Sequence, residues 1–264
     1  MTGRVNIREF ILGILMEINK EGQYSHIAIR GTLEKYQYLE KTERAFITRV
    51  CEGTQENQIR IDYIINYFSK VKVEKMKPLI RELLRSSVYQ LIYMDNVPDS
   101  AVCNEAVKLA RKKGFYNLTS FVNGVLRGIA RDHKKIPFPG KEHKVEYLSV
   151  TYSMPVWLVV RFMDQFGFEN TEKMLQAFIE ERPVTVRIKE YLTDREQVIH
   201  SLIKEGVKVE KAPYVDNAYY LSGYDYLPAL TAFRMGNIQV QDVSSMFAGE
   251  AAAPGKGSYV IDLC

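Results

Sequence analysis

The sequence predicts a multidomain, mainly α-helical protein, in which an all-helical domain is followed by a small mixed α/β domain and the first elements of a parallel α/β sheet. Apolar residues recur every three to four positions throughout residues 1–133, which is the period of an amphipathic helix. The period changes to two at residues 184–188, as in a strand. A largely apolar segment, residues 259–264, ends the sequence and is typical of a buried strand.

The first predicted domain, residues 1–138, contains seven helices. Their apolar stripes cover residues 7–18, 33–39, 46–51, 61–68, 76–92, 102–110 and 118–129. Pro78 falls in the first turn of the fifth helix, where proline is tolerated because that turn needs no intrahelical N–H donor. Val97–Ser100 ends the fifth helix and opens the sixth. No strand pattern interrupts the series, so this domain is predicted to be all-helical.

The second predicted domain, residues 141–235, begins after a break at residues 136–140 that contains two prolines and a glycine. Three helices are predicted at about 142–150, 156–166 and 171–180. A strand follows at 184–188, and Thr193–Glu196 has the form of a capping box ahead of another helix. A second strand resumes at 207–209, which makes this domain a small α/β unit.

The third predicted part, residues 236–264, reads as strand, helix and buried strand. Asn237–Gln241 is the first strand, and Asp242 can cap a helix that runs to about Ala252. This order is how a parallel α/β sheet begins. A strand buried on both faces needs neighbouring strands, and none follow 259–264, so we expect a sheet that is cut short.

Composition excludes several classes of protein. Of the 264 residues, 46% are hydrophobic and 26% are charged, which is ordinary for a soluble globular chain. No apolar run approaches the ~20 residues that span a bilayer, and the amino terminus lacks a secretory signal, so a cytoplasmic location is expected. The three cysteines and four histidines are scattered without ligand spacing, so no metal site is expected.

The charge is distributed unevenly between the two halves of the chain. Residues 1–140 contain 23 Lys and Arg against 15 Asp and Glu, whereas residues 141–264 contain 13 against 17. A basic first half indicates contact with a polyanion. A plain solvated surface can show the same excess, so charge alone does not decide the function.

The strongest basic feature lies between residues 108 and 135, where eight cations face one acidic residue, Asp132. On the seventh helix Arg127, Arg131 and Lys134 or Lys135 share a face with Asn123, opposite the apolar stripe. Such a row can follow a phosphate backbone and release its counterions, and nearby Tyr116 can stack on an unpaired base. The alternative is a solvated helix face in which Arg127 pairs with a carboxylate such as Glu105.

Two glycines interrupt the same helix. Gly124 and Gly128 lie four residues apart, and each costs roughly 1 kcal/mol relative to alanine in a helix interior. The preferred explanation is structural: a neighbouring helix is expected to pack closely against both positions.

Two motifs in the first domain resemble a known family. Phe121–Arg127, with the sequence FVNGVLR, and Asn104–Val107 on the preceding helix resemble the helical RNA-binding domain of the antitermination factor NusB. This resemblance covers about residues 3–135. It implies a NusB-like fold that binds RNA, with a protein partner as a further possibility.

Three later passages resemble the bacterial 16S ribosomal RNA cytosine-5 methyltransferases that carry a NusB-like domain at the front. They are Tyr152–Val159, Arg182–Lys189 and Gly236–Ser245. The resemblance implies that residues 236–264 are the start of a truncated Rossmann-like methyltransferase sheet. It also implies 16S ribosomal RNA as partner and S-adenosylmethionine as cofactor of the full-length enzyme.

The resemblance places the catalytic residues beyond position 264. Cys264 matches the edge of the S-adenosylmethionine turn and not the nucleophile, so this chain alone is expected to be inactive and to bind no cofactor. Cys51 and Cys103 match neither family cysteine and are interpreted as buried structural thiols. The expected RNA-binding residues are Arg111, Lys112, Lys113, Arg127, Arg131, Lys134 and Lys135, with Arg182 and Arg187 as weaker candidates nearer the active site.

A non-enzymatic function is the alternative. The chain could be a NusB-like adaptor in transcription antitermination or ribosome assembly, with a protein bound to its helical domain. Residues 236–264 discriminate between the two hypotheses, because an adaptor has no use for a lone buried strand.

Overall fold

The computed structural model describes residues 6–180, 183–224, 226–261 and 263. The chain divides into two compact units, one up to Ile179 and one from Glu180 onward. This division places residues 139–179 with the front helices. The domain limits predicted from the sequence, 1–138, 141–235 and 236–264, stay predictions.

The first unit is helical, as predicted. Its helices are α1 (Ile7–Asn19), α2 (Ser25–Lys35), α3 (Lys41–Glu56), α4 (Gln58–Phe68), α5 (Pro78–Tyr93), α6 (Asp99–Lys112), α7 (Thr119–Asp132), α8 (Lys144–Thr151) and α9 (Val156–Ile179). Gly167 is non-helical inside α9, with φ +75°, so α9 consists of two helical segments, as the spacing predicted. Pro78 occupies the first turn of α5.

Two helix boundaries differ from the sequence prediction. α2 ends at Lys35, so most of the predicted stripe 33–39 lies beyond it, and its buried residues are Ala28 and Ile29. α3 begins five residues before its first apolar stripe residue, Phe46. The cause is a capping box, in which the Glu43 carboxylate accepts a hydrogen bond from the Glu40 backbone N–H at 3.1 Å.

The core of the first unit surrounds α5, which contacts α1, α3, α4, α6 and α7. The apolar face of α7 enters this core through Val122, Val125, Leu126 and Ile129. Because this stripe is fully used in packing, the opposite face of α7 is left at the surface. The fold thereby determines which side of α7 a partner can reach.

The glycines of α7 have different surroundings. A Cβ at Gly128 would lie 3.2 Å from Cδ1 of Phe68 on α4, so the close packing predicted there is confirmed. A Cβ at Gly124 would meet nothing within 4 Å, so the same prediction is wrong for that position. Of the two glycines, only Gly128 is favoured by helix packing, because a side chain there would require Phe68 to shift.

α5 also carries a buried charged network. Arg85 Nε donates to Asp62 at 2.7 Å, and Arg85 Nη1 donates to the fully buried Glu82 at 2.9 Å. Glu82 accepts further hydrogen bonds from Asn19 and Arg81. Burial disfavours the charged guanidinium, but Asp62 and Glu82 outweigh that effect and raise the pKa of Arg85 above its ordinary value.

The second unit is built on an antiparallel sheet with the strand order β2-β3-β1-β4. Its elements are β1 (Val184–Ile188), α10 (Arg195–Lys204), β2 (Lys208–Lys211), β3 (Ala218–Ser222), α11 (Thr231–Arg234), β4 (Ile238–Val240) and α12 (Val243–Ala252). Val186 of β1 lies opposite Tyr219 of β3 and Val240 of β4. Val186, Ile188, Val198, Leu202 and Leu221 are buried in its core.

Several details of the second unit differ from the sequence prediction. β3 was not predicted, because its apolar residues do not alternate regularly. The capping residue of α10 is Asp194, which accepts a hydrogen bond from the Gln197 N–H, and not Thr193. Strand β4 joins the antiparallel sheet beside β1 and does not start a parallel one.

The expected buried strand at residues 259–264 is also wrong where the structure describes it. Residues 259–261 are exposed and form no strand, and Leu263 is exposed as well. The physical reason is that an apolar strand needs strands beside it to satisfy its backbone groups. The cap of α12 was predicted correctly, since the Asp242 carboxylate accepts from the Ser244 N–H.

Candidate nucleic-acid interface

A shallow groove of about 450 Å³ separates the exposed sides of α6 and α7. We call it the α6/α7 groove. It is lined by Asn104, Val107, Lys108 and Arg111 of α6 and by Thr119, Ser120, Asn123 and Arg127 of α7. None of these side chains is acidic, and all except Val107 are polar. The groove therefore offers hydrogen-bond donors together with positive charge.

Arg127 lies on this surface without a carboxylate partner among the described residues. Its Nε donates to Asn123 Oδ1 at 2.9 Å, one helical turn earlier on α7. Glu105, the carboxylate considered in the alternative interpretation, instead accepts from Lys108 at 2.8 Å and from Asn6 at 3.2 Å. The hydrogen bond from Lys108 is the main cause that lowers the pKa of Glu105.

The carboxyl end of α7 carries three cations and one carboxylate. Asp132 accepts from Arg131 Nε at 2.6 Å and from Lys135 Nζ at 2.8 Å. These two hydrogen bonds, with Lys135 first, lower the pKa of Asp132. Lys134 is exposed and has no ion-pair partner in the part of the chain that the structure describes. One carboxylate thus leaves a surplus of positive charge here.

Lys112 and Lys113, at the end of α6, both contact Glu9 of α1 at 2.6 Å. Hydrogen bonds from the two lysines lower the pKa of Glu9. The pair of contacts connects α1 to α6, so these lysines contribute to the fold as well as to the surface charge. Tyr116, which follows them, is 64% exposed and is available for stacking.

The predicted RNA-binding residues do not all come together. Arg111 and Arg127 share the α6/α7 groove, while the remaining predicted cations of α6 and α7 flank it at the ends of these helices. Arg187 lies in the second unit, half-buried on β1. Arg182 and Cys264 lie outside the described residues.

The prediction overlooked the small polar residues of the groove. Asn104, Thr119 and Ser120 line it beside the cations. A signal for them exists in the sequence, because Asn104, Lys108 and Arg111 follow the spacing of one helix face. Serine and threonine are common on exposed helices, so their presence by itself indicates little about binding.

The cysteines and the end of the chain supply no reactive site in the described residues. Cys51 and Cys103 are buried free thiols, and burial is the main cause that raises the pKa of each, so their structural interpretation is confirmed. Residues 251–261 are exposed throughout and form no enclosed site for S-adenosylmethionine. No group of three or more His, Cys, Asp or Glu in the described regions could hold a metal ion.

None of the helices within the described ranges is long and apolar enough to cross a membrane.

Comparison with known families first defines the class of protein. Residues 5–131 match the NusB family, and residues 154–224 match the Methyltr_RsmF/B-like, ferredoxin-like domain. The solved structure of PH0851 resembles this chain with a TM-score of 0.69 at 20% identity, over 96% of this chain and 57% of PH0851. The chain therefore joins a NusB domain to an RsmF/B-like ferredoxin-like domain.

Two curated relatives with the same name are similar to nearly the whole chain. The chain is 32% identical to the probable ribosomal RNA small subunit methyltransferase B of Bacillus subtilis (strain 168), over 99% of this chain and 58% of that protein. It is 28% identical to the protein of the same name from Synechocystis sp. (strain ATCC 27184 / PCC 6803 / Kazusa), over 98% of this chain and 58% of the relative. The resemblance to ribosomal RNA methyltransferases with a NusB domain, noted in the sequence, is thus confirmed. The chain spans somewhat more than half the length of these relatives.

Proposed function

We propose that the front unit binds ribosomal RNA for a small-subunit ribosomal RNA methyltransferase. The observation that carries this proposal is the α6/α7 groove, in which Arg111 and Arg127 stand without carboxylate partners among the described residues. Positive charge that the protein does not neutralise is available to phosphate groups. Each contact with a phosphate releases condensed counterions and so favours binding.

The polar neighbours of the two arginines suit the same partner. The hydrogen bond from Arg127 Nε to Asn123 orients the guanidinium, and its two terminal nitrogens form no hydrogen bond within the described residues. Thr119, Ser120 and Asn104 can donate to phosphate oxygens or to ribose hydroxyls. Lys134 and Tyr116 extend the proposed contact beyond the groove, and Arg182 and Arg187 are retained as secondary candidates.

The test is a double substitution, Arg111→Gln with Arg127→Gln. A matched control, Lys20→Gln with Lys35→Gln, removes two charges from exposed positions in and beside α1 and α2 of the same unit. Binding of transcribed small-subunit ribosomal RNA is measured by fluorescence anisotropy between about 50 and 200 mM salt. We expect the slope of log K against log salt to become shallower by roughly 1.4–1.8 in the groove variant and to stay unchanged in the control.

Equal slopes for the groove variant and the parent protein would contradict the proposal. Loss of RNA binding in both double variants would indicate a response to net charge and would also reject the groove. Circular dichroism checks that both variants remain folded, which is expected because all four side chains are exposed.

The finer proposal is that the full-length protein methylates carbon 5 of a cytosine in 16S ribosomal RNA with S-adenosylmethionine as donor. The relatives' names support methylation of small-subunit ribosomal RNA. The resemblance of residues 236–245 to the cytosine-5 methyltransferases supports carbon 5 and the donor. The test is mass spectrometry of 16S RNA from cells with and without the gene. The proposal is rejected if 16S RNA from the deletion strain contains every 5-methylcytosine that is present in the parent strain.

The chain of 264 residues is proposed to bind no S-adenosylmethionine by itself. The reason is that its described carboxyl-terminal segment is exposed and encloses nothing. Titration calorimetry of the chain with S-adenosylmethionine should give no saturable heat, whereas the full-length protein serves as the positive control. A saturable heat from the short chain would refute this proposal.

A further inference from the structure

The connection between α4 and α5, residues 69–77, forms a second cationic surface, which we call the lysine loop. Four of its nine residues are exposed lysines: Lys70, Lys72, Lys75 and Lys77. The loop contains one carboxylate, Glu74, and it forms no ion pair with these lysines in the described structure. The described residues elsewhere also place no carboxylate within ion-pair distance of them. The positive charge of the loop is therefore left to solvent or to a partner.

The backbone of the lysine loop is fixed by the core and by side-chain hydrogen bonds. Val73 and Met76 are buried. The Val73 N–H donates to Asn66 Oδ1 at 2.9 Å, and the Ser69 hydroxyl donates to the Val71 carbonyl at 2.7 Å. A short 3-10 turn spans Val73–Lys75. The lysines are thus displayed from an ordered backbone, which reduces the entropy that binding must overcome.

An exposed aromatic residue stands beside the cations. Tyr67, in the last turn of α4, is 54% exposed and makes an edge contact with Phe68 at 5.1 Å between ring centroids. Proteins that bind single-stranded nucleic acid combine a cationic path for the backbone with exposed aromatic rings on which bases stack. Tyr67 and the lysine loop supply both parts within eleven residues of the sequence.

The lysine loop adjoins the helix that carries Arg127. Phe68 directly precedes the loop and packs against Gly128 of α7. A Cβ atom placed on Gly128 would lie 3.2 Å from Cδ1 of Phe68. The loop shares no residue with the α6/α7 groove. The lysine loop therefore follows a helix, α4, that packs directly against α7, the helix that carries Arg127.

We infer that the lysine loop is a second phosphate-binding surface of the front unit and contacts the backbone of a single-stranded RNA segment, with Tyr67 stacked on one of its bases. The inference rests on the proposed function for the identity of the partner. It concerns a different set of residues, and so it can fail while the α6/α7 groove stands.

The first experiment replaces Lys72 and Lys75 with Gln and uses the Lys20→Gln, Lys35→Gln protein as the control of equal charge. Anisotropy with small-subunit ribosomal RNA should show a salt slope shallower by roughly 1.4–1.8 in the loop variant and an unchanged slope in the control. Combining the loop variant with Arg111→Gln and Arg127→Gln should add the two slope changes, because the sites share no residue.

The second experiment tests stacking with Tyr67→Leu, which preserves apolar area and removes the large aromatic ring. We expect affinity for single-stranded RNA to fall by roughly five- to 150-fold with an unchanged salt slope. Thermal unfolding should match that of the parent, since the ring is largely exposed. Full affinity in this variant overturns the stacking contact.

The outcomes separate the two proposals. If the groove variant loses slope and the loop variant does not, the lysine loop is overturned and the proposed function stands. The opposite result overturns the groove and supports the loop. If the parent protein binds no ribosomal RNA, both are overturned. An equal loss in the Lys20→Gln, Lys35→Gln control overturns the loop as a specific surface.

Discussion

The interior of the front unit and its α6/α7 surface use charge in opposite ways. In the interior, Arg85 is matched by Asp62 and Glu82, and the remaining Glu82 oxygen accepts from Asn19. At the surface, Asp132 forms ion pairs with both Arg131 and Lys135. Arg127 forms no ion pair with a carboxylate among the described residues and donates to Asn123 instead. An interior charge must be matched because an unpaired buried charge strongly destabilises the fold, whereas an unmatched surplus outside is available for a partner.

The largest expected effect comes from breaking the interior network with Arg85→Ala. This substitution removes the guanidinium that Asp62 and the buried Glu82 share, while Glu82 keeps its hydrogen bonds from Arg81 and Asn19. The free energy of unfolding, measured by urea denaturation, should fall by about 3–5 kcal/mol. The control is Arg127→Ala, which should change stability by no more than about 0.5 kcal/mol. Similar losses in the two variants would remove the distinction between interior and surface charge.

Substitutions of the two glycines of α7 are expected to have an intermediate effect on stability, and they compare an exposed position with one that packs against α4. Gly124→Ala should raise the free energy of unfolding by about 1 kcal/mol, because alanine is the better helix former and its Cβ meets nothing. Gly128→Ala should gain less or lose stability, since Phe68 must move away from the new methyl group. Urea unfolding of both variants checks the order, and a larger gain at Gly128 would show that α4 and α7 pack less closely.

A smaller effect is expected from Asp132→Asn. This change releases Arg131 and Lys135 from their shared carboxylate. If one of the two cations then contacts RNA, the salt slope should steepen by roughly 0.7–0.9, and the affinity at low salt should rise. An unchanged slope would exclude the carboxyl end of α7 from the RNA surface. It would say nothing about the groove, because Asp132 does not line it.

The smallest expected effect concerns pH. Hydrogen bonds from Lys112 and Lys113 lower the pKa of Glu9, so its carboxylate stabilises the folded state above the ordinary value of about 4.3. That contribution disappears as the pH falls through the lowered value. Glu9→Gln should therefore have a lower Tm than the parent at pH 7, and the difference should vanish in strong acid. A constant difference across the titration would contradict the pairing.

Much of the fold could be predicted because helix formation leaves a local periodic pattern. The stripe of Val122, Val125, Leu126 and Ile129 predicted both α7 and its buried face, and Pro78 marked the first turn of α5. β3 could not be predicted in this way, because Ala218–Ser222 becomes a strand by pairing with β1 and β2. The same dependence on neighbours explains residues 259–261, which are apolar but have no strand beside them in the described structure.

The candidate site likewise has features that depend on local sequence and features that depend on the tertiary structure. The sequence by itself determined that cations gather on α6 and α7 opposite the apolar stripe. Only the tertiary structure decided which of them remain unmatched. Glu9 reaches Lys112 across 103 positions of the chain, and Glu105 contacts Lys108 and Asn6 and not Arg127. Helical periodicity is a property of neighbouring residues, whereas an ion pair depends on where distant parts of the chain meet.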